Sequence, residues 1–267
     1  MISAMARLLL KRHFATCGAC LLPPILIGGT MGFLRPVLKE HYAVLARSLE
    51  IARSFMPKSL QQMDLFTPEG AFAWPFLHPF TLILLTVVVA IPATAWPAGE
   101  RARGGLDLIL AGPVGRRPLL LTVISFLLLV AALAGLAPLL GSFIGALICG
   151  EQSLLPWMTY VLVAANLFAL GALFASIAVL VSVHSEDRGI ATLRYGVVVV
   201  LFLLVDLLGG LWPKGEWIRK LSPFGYFDPY GALKSWENLP RDLGILVACS
   251  IAIAVLAVHG FMRRVRA

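Results

Sequence analysis

Six apolar runs set the terms for this chain. They lie at about 14–34, 76–97, 118–149, 157–183, 195–212 and 242–260. A helix needs about 20 mostly apolar residues to cross a bilayer, and inside the bilayer every backbone donor and acceptor must be satisfied within the segment. The runs therefore predict an all-α integral membrane protein with six transmembrane helices. The third run is long for one crossing and should tilt, bend at Pro138 or extend beyond the bilayer. Pro23 and Pro24 mark a bend in the first. No internal repeat and no Gly/Ser linker divides residues 1–267, which read as a single transmembrane domain.

Composition agrees. Hydrophobic residues make up 59% of the chain and charged residues 13%, with a mean hydropathy of +0.88. A soluble protein carries about a quarter charged residues. The formal net charge of +8 does not indicate nucleic acid, because the basic residues flank apolar runs instead of forming one solvated face. Arg7, Lys11 and Arg12 precede the first run, Arg101, Arg103, Arg116 and Arg117 lie between the second and third, and Arg188 and Arg194 lie between the fourth and fifth. Arg263, Arg264 and Arg266 follow the sixth. This density of arginine beside span ends predicts that both termini are cytoplasmic and that the first span is retained as an uncleaved segment.

The ends of the runs carry further structure. "MISAMARLLLKRH" reads as an interfacial helix leading into the first span. Leu38, Tyr42, Leu45, Leu49, Ala52 and Met56 step by three and four, which predicts an outer amphipathic helix ending at Pro57. A second outer loop, 213–241, carries Trp217, Phe224, Tyr226, Phe227, Tyr230 and Trp236, and reads as a re-entrant-like segment dipping into the outer leaflet.

Chemistry-bearing patterns are few. There is no GxxxxGK[ST] loop, HExxH or GxSxG. "GGTMGF" at 28–33 sits in an apolar run without a preceding strand or a lysine, so it is not a phosphate loop. Cys17 and Cys20 have CxxC spacing but no second pair, and read as small packing residues. Gly141 and Gly145 have the GxxxG spacing of close helix packing. His78 and His259 sit at span ends as interfacial residues. Asp206 is the sharpest intramembrane polar residue, with Asn166 in the fourth span as a candidate partner. Together they are candidate substrate-path groups, either as a cation or proton site or as a packing hydrogen bond.

The stretch "GERARGGLDLILAGPVGRRPLLLTVI", from Gly99, is the informative one. Gly104, Gly105 and Pro113 bound a short amphipathic piece in which Leu106, Ile109 and Leu110 repeat at helical spacing with Asp107 opposite. A helix of this kind, flanked by arginines, suits docking to a soluble partner.

This stretch resembles the signature of ATP-binding-cassette (ABC) transporter permeases of the type-2, exporter-like class, roughly G-E-x-E-x-G-T-L-x-L-L-L-x-x-P-V-S-R before the third span. Gly99, Glu100, Gly104, Leu106, Leu108, Leu110, Pro113, Val114 and Arg116 match. Arg103, Gly105 and Gly115 depart from it, loosening the helix start while keeping its apolar spacing. "LSPFGYFDPY" at 221–230 and "HPF" at 78–80 resemble further segments of that family. The resemblance implies a permease that pairs as a homodimer in the bacterial inner membrane and moves an unidentified substrate, and a mostly apolar interior fits an amphipathic one. Each copy would bind a cytoplasmic ATPase subunit, which holds the ATP, so this chain would be no enzyme and carry no cofactor or metal. The coupling helix would contact that ATPase through Glu100, Arg101, Arg103, Gly104, Leu106, Asp107, Leu110, Pro113 and Arg116. The rival readings are an ion-coupled secondary transporter using Asp206 and a non-transporting membrane scaffold.

Overall fold

A computed structural model describes residues 2–40, 67–112, 115–154, 157–212 and 215–264. Six helices in it are long and apolar enough to cross a membrane, and the described residues contain no strand. The expected all-α architecture is what the chain forms. The outer amphipathic helix expected over 38–57 lies almost wholly outside the described residues.

Helix α1 (Ile2–Glu40) joins the basic N-terminal segment and the first span into one helix that continues through Pro23, Pro24 and Pro36. The second crossing is assembled from pieces: α2 (Pro68–Leu77), α3 (Pro79–Thr94), a π-helical turn (Ala95–Gly99) and a single α turn (Glu100–Ala102). His78 separates α2 from α3, and its Nδ1 accepts the amide of Phe80 at 3.3 Å. Short α4 (Gly105–Ala111) follows, and then α5 (Arg116–Ile148), which continues through Pro138. At 33 residues α5 is about 50 Å long, well beyond the hydrocarbon thickness of about 30 Å. The fourth and fifth spans are α6 (Trp157–Val183) and α7 (Arg188–Leu211). The aromatic-rich loop contains short helical turns and α8 (Pro229–Lys234), and α9 (Leu239–Arg264) closes the chain.

The bundle is organised around α6, which packs against α3, α5, α7 and α9. Its sequence is apolar on every face, as a helix enclosed by others requires. Phe174, Leu167, Leu170 and Ala178 are fully buried. The Ser176 hydroxyl of α6 lies 3.1 Å from that of Ser250 on α9.

Helix α1 lies along α5 through a seam of glycines. A Cβ at Gly141 would sit 2.0 Å from the Ile25 carbonyl oxygen, and one at Gly32 would sit 2.8 Å from Gly145 Cα. Gly28 meets Pro138 and Ser142 in the same way. The GxxxG pair at 141 and 145 therefore does mark close packing, and its partner is the glycine cluster at 28–32. Cys17 is buried in the main core and Cys20 packs at its edge, both as free thiols.

One end of the bundle gathers the basic ends of α1, α5, α7 and α9. The opposite, aromatic end carries the 215–238 loop and a buried Arg35, which pairs with Glu151.

Candidate functional site: the arginine-clamped turn at the basic end

The chain leaves the second crossing abruptly. Trp96 has extended backbone angles (φ −141°, ψ 123°) within an otherwise helical path, and Pro97 withholds an amide next to it. The amide of Ala98 is instead satisfied by Ser182 Oγ of α6 at 3.1 Å. Trp96 is buried, so this break is packed into the bundle.

Glu100 follows and is the hub of a small ion cluster. Its Oε1 accepts from Arg12 Nη1 of α1 at 2.7 Å and from Arg103 Nη2 at 2.5 Å. Arg101 points the other way. Its Nη1 donates to the carbonyls of Val183 at 3.2 Å and Ser185 at 2.9 Å. Val183 ends α6 and Ser185 lies two residues past it, at a terminus where helical acceptors lack intrahelical donors and the helix dipole favours cations. Arg264 Nη1 of α9 also donates to Val183, at 3.1 Å, and Arg194 Nη1 of α7 donates to His184 at 3.2 Å. Three arginines from three elements thus converge on the end of the central helix.

The turn into α4 depends on two glycines for different reasons. Gly104 has φ +70°, a left-handed conformation that side chains other than glycine adopt at a cost. At Gly105 a Cβ would lie 2.5 Å from Glu100 Oε2, so a side chain there would make the Glu100 carboxylate shift. Gly105, which departs from the family signature, is thereby fitted to the glutamate that matches it.

Within α4, Leu106 is buried at 2% exposure, while Ile109 and Leu110 pack at the core edge. Leu108 is 79% exposed, and Asp107 is exposed beside it. In the sequence Leu106, Ile109 and Leu110 form one face of α4, and Leu108 stands out as a match to the family signature but not as a contact residue. Its signal was present as the leucine out of phase with that face. Arg116 opens α5 and is partly buried, and Pro113 lies outside the described residues. The structure brings Glu100, Arg101 and Arg103 together with Arg12, Arg194 and Arg264. The last three were visible in the sequence only as span-flanking charge.

A groove of about 420 Å³ runs between α3 and α7. It is lined by Thr86, Ala90, Thr94, Tyr195 and Val199 and ends at Arg188 near the clamp. The Tyr195 hydroxyl donates to the Thr86 carbonyl at 3.0 Å, tying the two walls together.

Asp206 and Asn166 do not pair. Arg219 Nε of the aromatic loop donates to Asp206 Oδ1 at 3.0 Å, and Asn166 Nδ2 donates to the Tyr226 carbonyl at 3.2 Å. The loop folds back over the ends of α6 and α7 and supplies both partners, which a reading confined to the spans could not anticipate.

The family described as multidrug efflux system permease Rv1217c, C-terminal domain, matches residues 54–262. The match spans every long helix except α1. No curated protein and no solved structure matches the chain. The buried helix break, the clamped turn and the six spans belong to a multi-pass membrane protein, and with residues 54–262 matched the chain belongs to the family of multidrug efflux system permease Rv1217c, C-terminal domain.

Proposed function

We propose that this chain is the membrane subunit of an ATP-driven exporter of the type-2 ABC class, working with a separate cytoplasmic ATPase. The observation that carries the reading is Leu108. A leucine 79% exposed on a helix anchored by buried Leu106, beyond the basic end of the spans, is suited to a protein groove and poorly suited to water. Exposed Asp107 and Arg103 give that contact polar margins. Glu100 and Arg101 then act behind the contact, fastening α4 to α1 and to the end of α6, so that a push on α4 reaches the spans as a rigid movement. Gly104, Leu110, Pro113 and Arg116 shape and flank the same element.

In this reading the basic end faces the cytoplasm, both termini lie there, and the chain resides in a bacterial inner membrane. Helix α7 offers a mostly unburied apolar face, including Val197, Leu201, Leu204 and Leu208, which fits a second copy of the permease. The groove between α3 and α7, apolar with a few hydroxyls, fits an amphipathic cargo. Hydrolysis belongs to the ATPase, so this chain is a non-catalytic subunit. In this reading Asp206 is a structural acid, supported by its ion pair with Arg219.

The test is isolation of the full chain from membranes of the organism that encodes it, followed by assay of ATP hydrolysis in the isolate. The expected result is an associated ATPase activity that falls at least about ten-fold in Leu108→Asp, with the amount of permease unchanged. An isolate without ATPase activity, or one undiminished by both Leu108→Asp and Glu100→Ala, overturns the reading.

A further inference from the structure

The loop between α7 and α9 walls a cavity of about 410 Å³ at the aromatic end, remote from the clamp. Asn166, Arg219, Lys220, Asp228, Lys234 and Arg241 are among its lining residues. Their bonding leaves a defined vacancy of charge. Arg219 is held by Asp206, and Arg241 Nε donates to Asp242 at 2.9 Å. Asp228 accepts the Gly231 amide at 3.0 Å as a helix cap. Lys220 makes no ion pair among the described residues, and Lys234 Nζ lies 4.4 Å from the centre of the Tyr230 ring. Asp228 keeps its charge, so after the two ion pairs the lining is left with a net positive charge, and the two ammonium groups, free of ion pairs among the described residues, are the ones that can meet an anion.

Asn166 adds a second requirement. It is 3% exposed, and its Nδ2 donates to the Tyr226 carbonyl. A carbonyl only accepts, so the contact fixes which amide atom is which. The remaining atom, Oδ1, is a buried acceptor with no partner. Such an atom is rare in a folded protein and calls for a donor.

The flanks of the loop supply a third. Trp217, Leu221 and Trp236, close in sequence to the lining residues, are each more than 60% exposed. Large amphipathic rings and apolar side chains of this kind settle at the boundary of a bilayer.

We propose that this cavity binds the head group of a phospholipid carrying both a phosphate and a hydrogen-bond donor, such as an ethanolamine or glycerol head group. Lys220 and Lys234 meet the phosphodiester, Asn166 Oδ1 accepts from the ammonium or hydroxyl, and the acyl chains remain in the bilayer beside Trp217 and Trp236. The site stands apart from the ATPase contact proposed above.

The experiment uses the full chain in neutral detergent with four probes measured by native mass spectrometry. They are lysophosphatidylethanolamine, lysophosphatidylcholine, a monoacylglycerol and glycerophosphoethanolamine. Lysophosphatidylethanolamine is expected to bind at least about ten-fold more tightly than lysophosphatidylcholine, whose quaternary ammonium has no N–H, and the monoacylglycerol is expected not to bind. Lys220→Gln with Lys234→Gln, both at exposed positions, is expected to weaken lysophosphatidylethanolamine at least about ten-fold while leaving the thermal midpoint unchanged. Equal binding of the choline probe, or no loss in the double variant, overturns the site. Equal affinity for glycerophosphoethanolamine overturns the bilayer as its source and makes the ligand a soluble phosphoester.

Discussion

Arg101 and Arg264 share one acceptor: both donate to the carbonyl oxygen of Val183, at 3.2 and 3.1 Å. One arginine follows the broken end of the second crossing and the other closes the sixth. Their meeting point is the end of α6, the helix against which α3, α5, α7 and α9 all pack. The turn that carries α4 is therefore fastened to the centre of the bundle and not only to its neighbours in sequence.

Arg101→Leu is expected to lower stability by about 1–3 kcal/mol, because it removes two charge-assisted bonds and leaves the Ser185 carbonyl short of a donor. Arg101→Lys should recover part of this loss, since a point charge still favours the helix terminus but cannot reproduce the guanidinium fork. The thermal midpoint of the purified chain in detergent checks both. A midpoint unmoved by Arg101→Leu would show that Arg264 and Arg194 suffice.

The glycine seam predicts a position-dependent effect of one methyl group. Gly141→Ala must displace the Ile25 carbonyl, 2.0 Å from the new Cβ, and should cost at least about 2 kcal/mol. Gly18→Ala on the same α1 helix meets nothing within 4 Å and should be neutral or slightly stabilising. Resistance to urea in mixed micelles distinguishes the two variants, and equal behaviour would remove the seam from the account of α1.

Much of this was legible in the sequence. Apolar runs announce spans because the bilayer allows few alternatives, and all six lie where the hydropathy puts them. Gly141 and Gly145 announce a close contact by their spacing. What the spacing could not tell is which helix approaches: Gly28 and Gly32 were readable only as a glycine cluster in an apolar run. The clamp was hidden for another reason. Arg101 binds backbone carbonyls, and a carbonyl at a helix end has no side-chain signature. Asp206 was legible as an intramembrane acid, but its partner comes from a loop whose path depends on contacts such as the Ser222 hydroxyl on the Phe202 carbonyl.

At the turn into α4, Gly104→Ala should cost about 1–2 kcal/mol through its left-handed backbone, and Gly104→Asn less, since asparagine tolerates that region better. Gly105→Ala acts differently, by pushing Glu100 away from Arg12 and Arg103. Its effect should therefore vanish in a Glu100→Ala background, while the Gly104→Ala effect persists. Thermal midpoints of the two doubles against their singles read this directly, and an undiminished Gly105→Ala effect in the Glu100→Ala background would contradict the packing assigned to Gly105.

The last prediction separates a structural acid from a transporting one. Asp206 and Arg219 are each about a quarter exposed, so their pairing should be worth about 1 kcal/mol, less than a fully enclosed pair. Arg219→Ala leaves an acid at the end of an apolar helix without its cation, which should destabilise the chain more than removing both charges. The double Asp206→Asn, Arg219→Ala should therefore be more stable than Arg219→Ala alone, giving a coupling energy of that size in a four-protein cycle. An acid that carried a transported proton or cation would behave otherwise. Asp206→Asn would then abolish efflux from loaded proteoliposomes without moving the thermal midpoint, and no second substitution would restore it. The Arg219 contact predicts the opposite pattern: a measurable shift in midpoint, rescue by the double, and efflux that continues in both.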